Sequence, residues 1–238
     1  MNSNAMTIKI SDLEYAWPNQ IPLLRLDAFS VAAGESFCLL GPSGSGKSTL
    51  LSLIAGVLAP QKGQLEVCGK SLETLSGRER DQLRADHIGI IFQMFNLVPY
   101  LSVLQNVLLP CRFSQRRRSR FERPQDMIED AERLLRQLGL EDPALLSRPV
   151  RDLSVGQQQR VAAGRAMIGA PDLIIADEPT SALDRDNRNR FVSLLQDEAK
   201  TSGATLLFVT HDQDLAGLFD RSVTLDEINH TTTQSGAA

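Results

Sequence analysis

Little in this sequence is suited to stack, cross-link or cross a bilayer. Aromatic residues make up 5% of its 238 positions, with one tryptophan and two tyrosines. The three cysteines, Cys38, Cys68 and Cys111, are widely spaced and form no CxxC pair. That spacing excludes a disulfide framework, and the thiols read as small core residues in a reducing compartment rather than as metal or redox ligands. No apolar run approaches the roughly 20 residues that a membrane-spanning helix needs. The N-terminus has no charged region followed by an apolar core, so no secretory signal is expected and the chain is read as cytoplasmic. Met1 to Ala5 reads as an appended leader, with Met6 as the native start, and the polar stretch over 231–238 is expected to be disordered. The net charge of −4 supplies no general pull towards nucleic acid or an anionic membrane.

What is present is ordinary for a folded protein: 42% hydrophobic and 23% charged residues. Apolar, β-branched runs alternate with helical patterns, which predicts an α/β fold built on a parallel sheet. Ile8–Tyr15 and Leu24–Val31 read as strands of an opening antiparallel portion, and Ser36–Leu40 as a short buried strand followed by a helix over Ser48–Ala55. Gln64–Val67, Ile88–Phe92, Leu173–Ala176 and Thr205–Val209 read as further strands. Between Met94 and about Leu153 the texture turns helical, broken by prolines, with a clear amphipathic helix over Gln125–Leu138 and another beginning after Gln157. A helical subdomain of about 94–157 therefore interrupts a core formed by 6–93 and 158–230. No internal repeat is present, which argues against a tandem chain.

Gly41-Pro42-Ser43-Gly44-Ser45-Gly46-Lys47-Ser48, followed by Thr49, fits GxxxxGK[ST] between a predicted strand and a predicted helix. Glycines let the backbone wrap phosphates, and the helix N-terminus directs its positive dipole end at them. Lys47 is the candidate for the β- and γ-phosphates of ATP, and the Ser48 hydroxyl for Mg²⁺. Leu173 to Ala176 is an apolar strand running into Asp177 and Glu178. Such a strand is expected beside the phosphate loop, with Asp177 a metal ligand and Glu178 the general base that polarises an attacking water.

Those two motifs fit many nucleotide hydrolases; the next are narrower. Leu153-Ser154-Val155-Gly156-Gln157 resembles the LSGGQ signature of ABC ATPases, Ser181-Ala182-Leu183-Asp184 their D-loop, His211 their switch histidine and Gln93 their Q-loop glutamine. The resemblance covers Ile8 to Leu225 in the family's motif order. It implies a P-loop NTPase fold and a head-to-tail homodimer that sandwiches ATP. In that dimer Ser154, Gly156 and Gln157 of one copy would face the phosphate loop of the other. It further implies that Glu178, His211 and Gln93 act on the water, that Gln93 touches the metal, and that Asp184 links the two sites. Val155 stands where the family has glycine, and branched Val restricts the backbone where Gly is permissive. Gly164 stands within a helix, where it costs stability. An adenine platform is expected near the N-terminus, with Trp17 favoured over Tyr15, which is expected to pack on the core. His87 and His230 read as surface residues.

In ABC ATPases a groove between the Q-loop and the helical insertion receives a separate transmembrane permease. The stretch from Phe95 to Tyr100, with Phe95, Leu97 and Tyr100 exposed, is the expected contact. Its wording is most similar to the lipoprotein-releasing and macrolide-efflux branch. Arg112, Arg116, Arg117, Arg118, Arg120 and Arg123 form a basic cluster read as a solvated loop, with anionic lipid or an acidic partner as the alternative. The function so implied is a Mg²⁺-dependent ATPase subunit at the cytoplasmic membrane face, with no nucleic-acid partner. A regulatory ATPase of a cell-envelope complex, or a soluble non-transport ABC ATPase, shares its nucleotide motifs.

Overall fold

The alternation of inward and outward side chains sets the first strand, and a single residue shifts its phase. In the computed structural model, which describes residues 5–181 and 183–231, β1 (Met6–Ala16) buries Ile8 and Ile10, then Leu13 and Tyr15. Asp12 takes a left-handed φ of 51° between the two pairs, and the register with the neighbouring strand breaks between Ser11 and Glu14. This bulge keeps both halves of the strand facing the core. β1 pairs antiparallel with β2 (Pro22–Ala32) and, after β3 (Ser36–Leu40), with β4 (Lys62–Val67), which continues to the short β5 (Lys70–Ser71). The antiparallel sheet has the order β2-β1-β4-β5.

The second sheet is parallel, in the order β6-β7-β8-β3-β9, with β6 at Ile88–Ile91, β7 at Leu173–Asp177, β8 at Thr205–Thr210 and β9 at Arg221–Thr224. Its central strands are buried on both faces, so they read as unbroken apolar runs. Consecutive residues serve different cores. Cys38, Ile174, Leu206 and Phe208 face the helices, whereas Leu39, Ile175, Leu207 and Val209 face the antiparallel sheet and α1 (Lys47–Ile54). Cys38 and Cys111 are buried as expected of core thiols, while Cys68 is only half-buried.

Helix α2 (Gly77–His87) leads into β6. Between β6 and β7 lie α3 (Val103–Leu108), α4 (Pro110–Phe113), α5 (Gln115–Arg118), α6 (Pro124–Gln137) and α7 (Val155–Met167). The chain then forms α8 (Arg185–Ser202) and α9 (Leu225–Ile228). Ala131, Leu134, Leu135 and Leu138 pack the apolar side of α6 into the same core as Val107, Val161 and Ile91.

Three expectations are corrected here. The basic cluster is only partly the solvated loop expected: Arg112, Arg118, Arg120 and Arg123 are exposed, but α4 and α5 run through it and Arg117 is fully buried. Its guanidinium donates to the carbonyls of Ala166 (3.2 Å), Ile168 (3.1 Å) and Ile88 (2.7 Å), clamping α5 to the end of α7 and the start of β6. His87 is not a surface residue: it is half-buried, and its Nδ1 lies 2.5 Å from Asp172 Oδ2. Helix α7 starts at Val155, not after Gln157. Val155 therefore occupies a first-turn helical position with its side chain 51% exposed, where a branched residue meets no backbone strain.

A methyl group added to Gly164 would sit 3.5 Å from Leu135 and Val107 and 3.7 Å from Leu138, ordinary contact distances. Gly164→Ala is therefore expected to stabilise the protein by about 0.5–1 kcal/mol, through lower chain entropy in the unfolded state. A rise in the urea midpoint checks this.

Candidate active site

Because β3, β6, β7 and β8 run parallel, the residues that follow them share one edge of the sheet. The glycine-rich loop follows β3, Gln93 follows β6, Asp177 and Glu178 end β7, and His211 follows β8. The acidic strand is not the loop strand's neighbour, since β8 lies between β3 and β7. The carboxylates reach the loop across one strand.

Gly44 (φ 82°) and Gly46 (φ 106°) hold left-handed conformations that turn the chain into α1, with Gly46 as its N-cap. Lys47 is buried, and its ammonium donates to the carbonyls of Gly41 (2.6 Å) and Pro42 (2.8 Å). The same nitrogen lies 3.6 Å from Glu178 Oε1. Glu178 has a left-handed φ of 43° and donates its backbone N–H to Val209 in β8 at 2.9 Å. Strain of this kind is held by surrounding bonds and collects at functional positions. Its Oε2 lies 3.1 Å from His211 Nδ1. Lys47, Glu178 and His211 thus form one chain of contacts that links the ends of β3, β7 and β8.

Asp177 is half-buried beside this chain. Burial is the main influence raising its carboxyl above the usual range, with Glu178 adding to it and Lys47 and Ser48 opposing. A carboxylate so disfavoured by its surroundings gains from a cation. A hydroxyl and a carboxylate are the oxygen donors that Mg²⁺ takes, so Asp177 and Ser48 fit that ion. Gln93 is exposed at the same edge.

The β1–β2 turn reaches this edge too, because Gly46 packs against Leu23 and Leu24 at the start of β2. Trp17 lies in that turn, 39% exposed, whereas Tyr15 is 6% exposed and meets the indole edge-on with ring centroids 5.5 Å apart. Only the tryptophan has a face to offer.

Ser154 caps α7. Its Oγ accepts from the Gln157 N–H (3.3 Å) while Gln157 Oε1 accepts from the Ser154 N–H (3.0 Å). Ser154, Gly156 and Gln157 line a cavity of about 420 Å³ with Glu141, Leu183 and Asn187, and no phosphate-loop residue borders it. Asp184 caps α8, accepting from the Asn187 N–H at 2.9 Å and its Nδ2 at 2.7 Å. Ala182 of the same loop lies outside the described residues, as do 1–4 and 232–238.

One element of the site carried no sequence signal. Arg188 of α8 forms an ion pair with Asp212, the residue after the histidine, and so ties the His211 segment to α8. The pairing joins residues far apart in the chain, and neither belongs to a motif.

A phosphate loop, an acidic strand end and a histidine on neighbouring parallel strands define a nucleotide hydrolase of the P-loop class. Residues 24–181 match the family model described as ABC transporter. The ABC transporter ATP-binding protein YtrE of Bacillus subtilis is 40% identical over 84% of this chain and 83% of its own. The lipoprotein-releasing system ATP-binding protein LolD of Anaeromyxobacter dehalogenans is 42% identical over 88% and 85%. A dimeric post-hydrolysis structure of the ATP-binding cassette MJ0796 bound to ADP and Pi superposes with a TM-score of 0.79 at 32% identity, covering 91% of this chain and 93% of that one. The chain belongs to the ABC transporter family, as an ATP-binding and ATP-hydrolysing subunit.

Proposed function

We propose that this chain hydrolyses ATP with Mg²⁺ as a head-to-tail homodimer and drives a separate membrane-embedded permease. The observation that carries the chemistry is the convergence of Lys47, Glu178 and His211, with Glu178 3.6 Å from the lysine and 3.1 Å from the histidine. Lys47, with the loop N–H groups at the start of α1, holds the β- and γ-phosphates. Glu178 accepts the proton of the attacking water on its carboxylate, and His211 holds that carboxylate in position. Ser48 and Asp177 would hold Mg²⁺, which supplies charge neutralisation at the phosphates when bound. Gln93 would contact the water and the metal, and Trp17 would stack on the adenine.

The dimer is supported by the position of the signature. Ser154 and Gly156 begin a helix, at the anion-binding end of its dipole, yet the cavity they line is bordered by no residue of their own phosphate loop. In the proposed dimer the ATP held on the phosphate loop of the second copy would meet this helix end, with Asp184 linking the two sites.

The permease seat is proposed on the helical subdomain of about 94–157 and the adjoining Q-loop. Phe95 and Leu97 pack against the core and leave the expected patch. Tyr100 is exposed (74%), as are Met94 (81%) and Phe113 (71%). Phe92 and Phe113 line a groove of about 360 Å³ with Asp81, Arg84 and Arg165, suited to an amphipathic helix. No described helix is long and apolar enough to cross a membrane, which fits a subunit that works beneath a partner on the cytoplasmic face.

Phosphate release with ATP tests the proposal. The wild type is expected to turn over ATP, to stop when Mg²⁺ is chelated, and to lose ATP binding in Lys47→Ala. Turnover that persists in EDTA or in Lys47→Ala contradicts it.

A further inference from the structure

At the other edge of the parallel sheet from the phosphate loop, three metal-ligating side chains meet. Cys68 lies in the turn between β4 and β5 with a left-handed φ of 50°. His87 ends α2, and Asp172 immediately precedes β7. One ligand atom from each residue lies within 4.8 Å of the other two, and all three residues are half-buried. They line a cavity of about 670 Å³ together with Thr7, Glu66 and Arg116. Arg116 donates to Asp172 Oδ1 at 3.0 Å, which orients the carboxylate and leaves Oδ2 to face His87.

We propose that Cys68, His87 and Asp172 form a Zn²⁺ site. A thiolate, an imidazole nitrogen and one carboxylate oxygen make a mixed S, N, O set that suits zinc. Mg²⁺, by contrast, demands oxygen ligands. Three protein ligands leave the fourth position to a water from the cavity. The Arg116 bond is the outer contact that a ligating carboxylate keeps, holding it in orientation. His87 Nδ1 and Asp172 Oδ2 are 2.5 Å apart. Two ligands of one tetrahedral zinc, each about 2.0–2.1 Å from it, sit roughly 3.3 Å from each other. Zinc therefore enters by replacing this one hydrogen bond and parting the pair by under roughly an ångström. His87 at a helix end and Asp172 in a loop can both give way by that amount.

The three ligands come from the antiparallel sheet, the α2–β6 junction and the start of β7, so zinc would clip the two sheets together. The site is far from the nucleotide edge, since His87 and Asp172 stand at the amino ends of strands whose carboxyl ends carry Gln93 and Asp177. It should act on stability rather than on turnover.

The test uses the full-length, reduced, metal-stripped protein titrated with Co²⁺ alone, then Zn²⁺ alone. One equivalent of Co²⁺ is expected to give a thiolate charge-transfer band in the near ultraviolet, which Zn²⁺ bleaches, and Zn²⁺ is expected to raise Tm. Cys38 and Cys111 are buried, so the band reports Cys68. Cys68→Ser is expected to abolish the band and the Tm rise. His87→Gln, which keeps a hydrogen-bonding group beside Asp172 but removes a ligand, is expected to weaken Zn²⁺ binding by more than the roughly 10–100-fold that loss of an outer contact costs. No band at one equivalent, or a band or Tm rise that survives Cys68→Ser, overturns the assignment. Unchanged ATP turnover in both variants shows that they fold.

Discussion

Glu178→Gln is expected to lower ATP turnover by about 10²–10⁴-fold, the contribution of a positioned general base, while ATP still binds. The carboxylate is held from both sides, by Lys47 at 3.6 Å and His211 at 3.1 Å, and its backbone is fixed by the bond to Val209. Glutamine keeps the shape and the bond to the histidine but accepts no proton from water. The loss should therefore fall on kcat rather than on nucleotide affinity, which rests on the glycine-rich loop and Lys47. Single-turnover hydrolysis measured beside equilibrium ATP binding separates the two. A variant as fast as wild type would mean that another group takes the proton.

The second large effect lies away from the chemistry. Arg117→Ala is expected to cost about 3–5 kcal/mol of stability, because it opens a large cavity and strands three carbonyl acceptors. Burial pushes the Arg117 guanidinium down to about 10, so the residue pays for desolvation, and its three bonds to Ala166, Ile168 and Ile88 offset that cost. Arg117→Lys should recover only part of the loss, since an ammonium lacks the planar fork that reaches the separate carbonyls. Urea unfolding of the three proteins measures it. Equal midpoints would show that the clamp is not needed.

What could be read from the sequence follows from where the signal resides. Strands such as Leu173–Asp177 and Thr205–Thr210 are apolar on both faces, and the amphipathic stripe of α6 has a clean period, so both stood out. Helix α2 buries only Leu83, so it has no apolar stripe, and its one local sign is the Ser76 and Glu79 capping pair. Helix α8 carries a stripe in Phe191, Val192, Leu195 and Ala199 that the sequence does contain, although the expected elements above do not include it. Edge strand β9, Arg221–Thr224, is too short and polar to announce itself. At the site, contiguous motifs were legible because the loop geometry is local. The order β7-β8-β3, the burial of Arg117, the Arg188–Asp212 pair and the Cys68–His87–Asp172 cluster depend on contacts between distant segments, which no periodicity encodes.

The central claim is that each hydrolytic site is shared by two copies of this chain, and the mass of Glu178→Gln in sedimentation equilibrium tests it most directly. With Mg²⁺ and ATP the variant should sediment as a dimer, and without nucleotide as a monomer. Adding Ser154→Arg, which places bulk at the exposed start of α7, should leave ATP bound but the chain monomeric. If the double variant dimerises with ATP as readily as Glu178→Gln alone, the signature helix does not close the site, and the shared-site account is wrong.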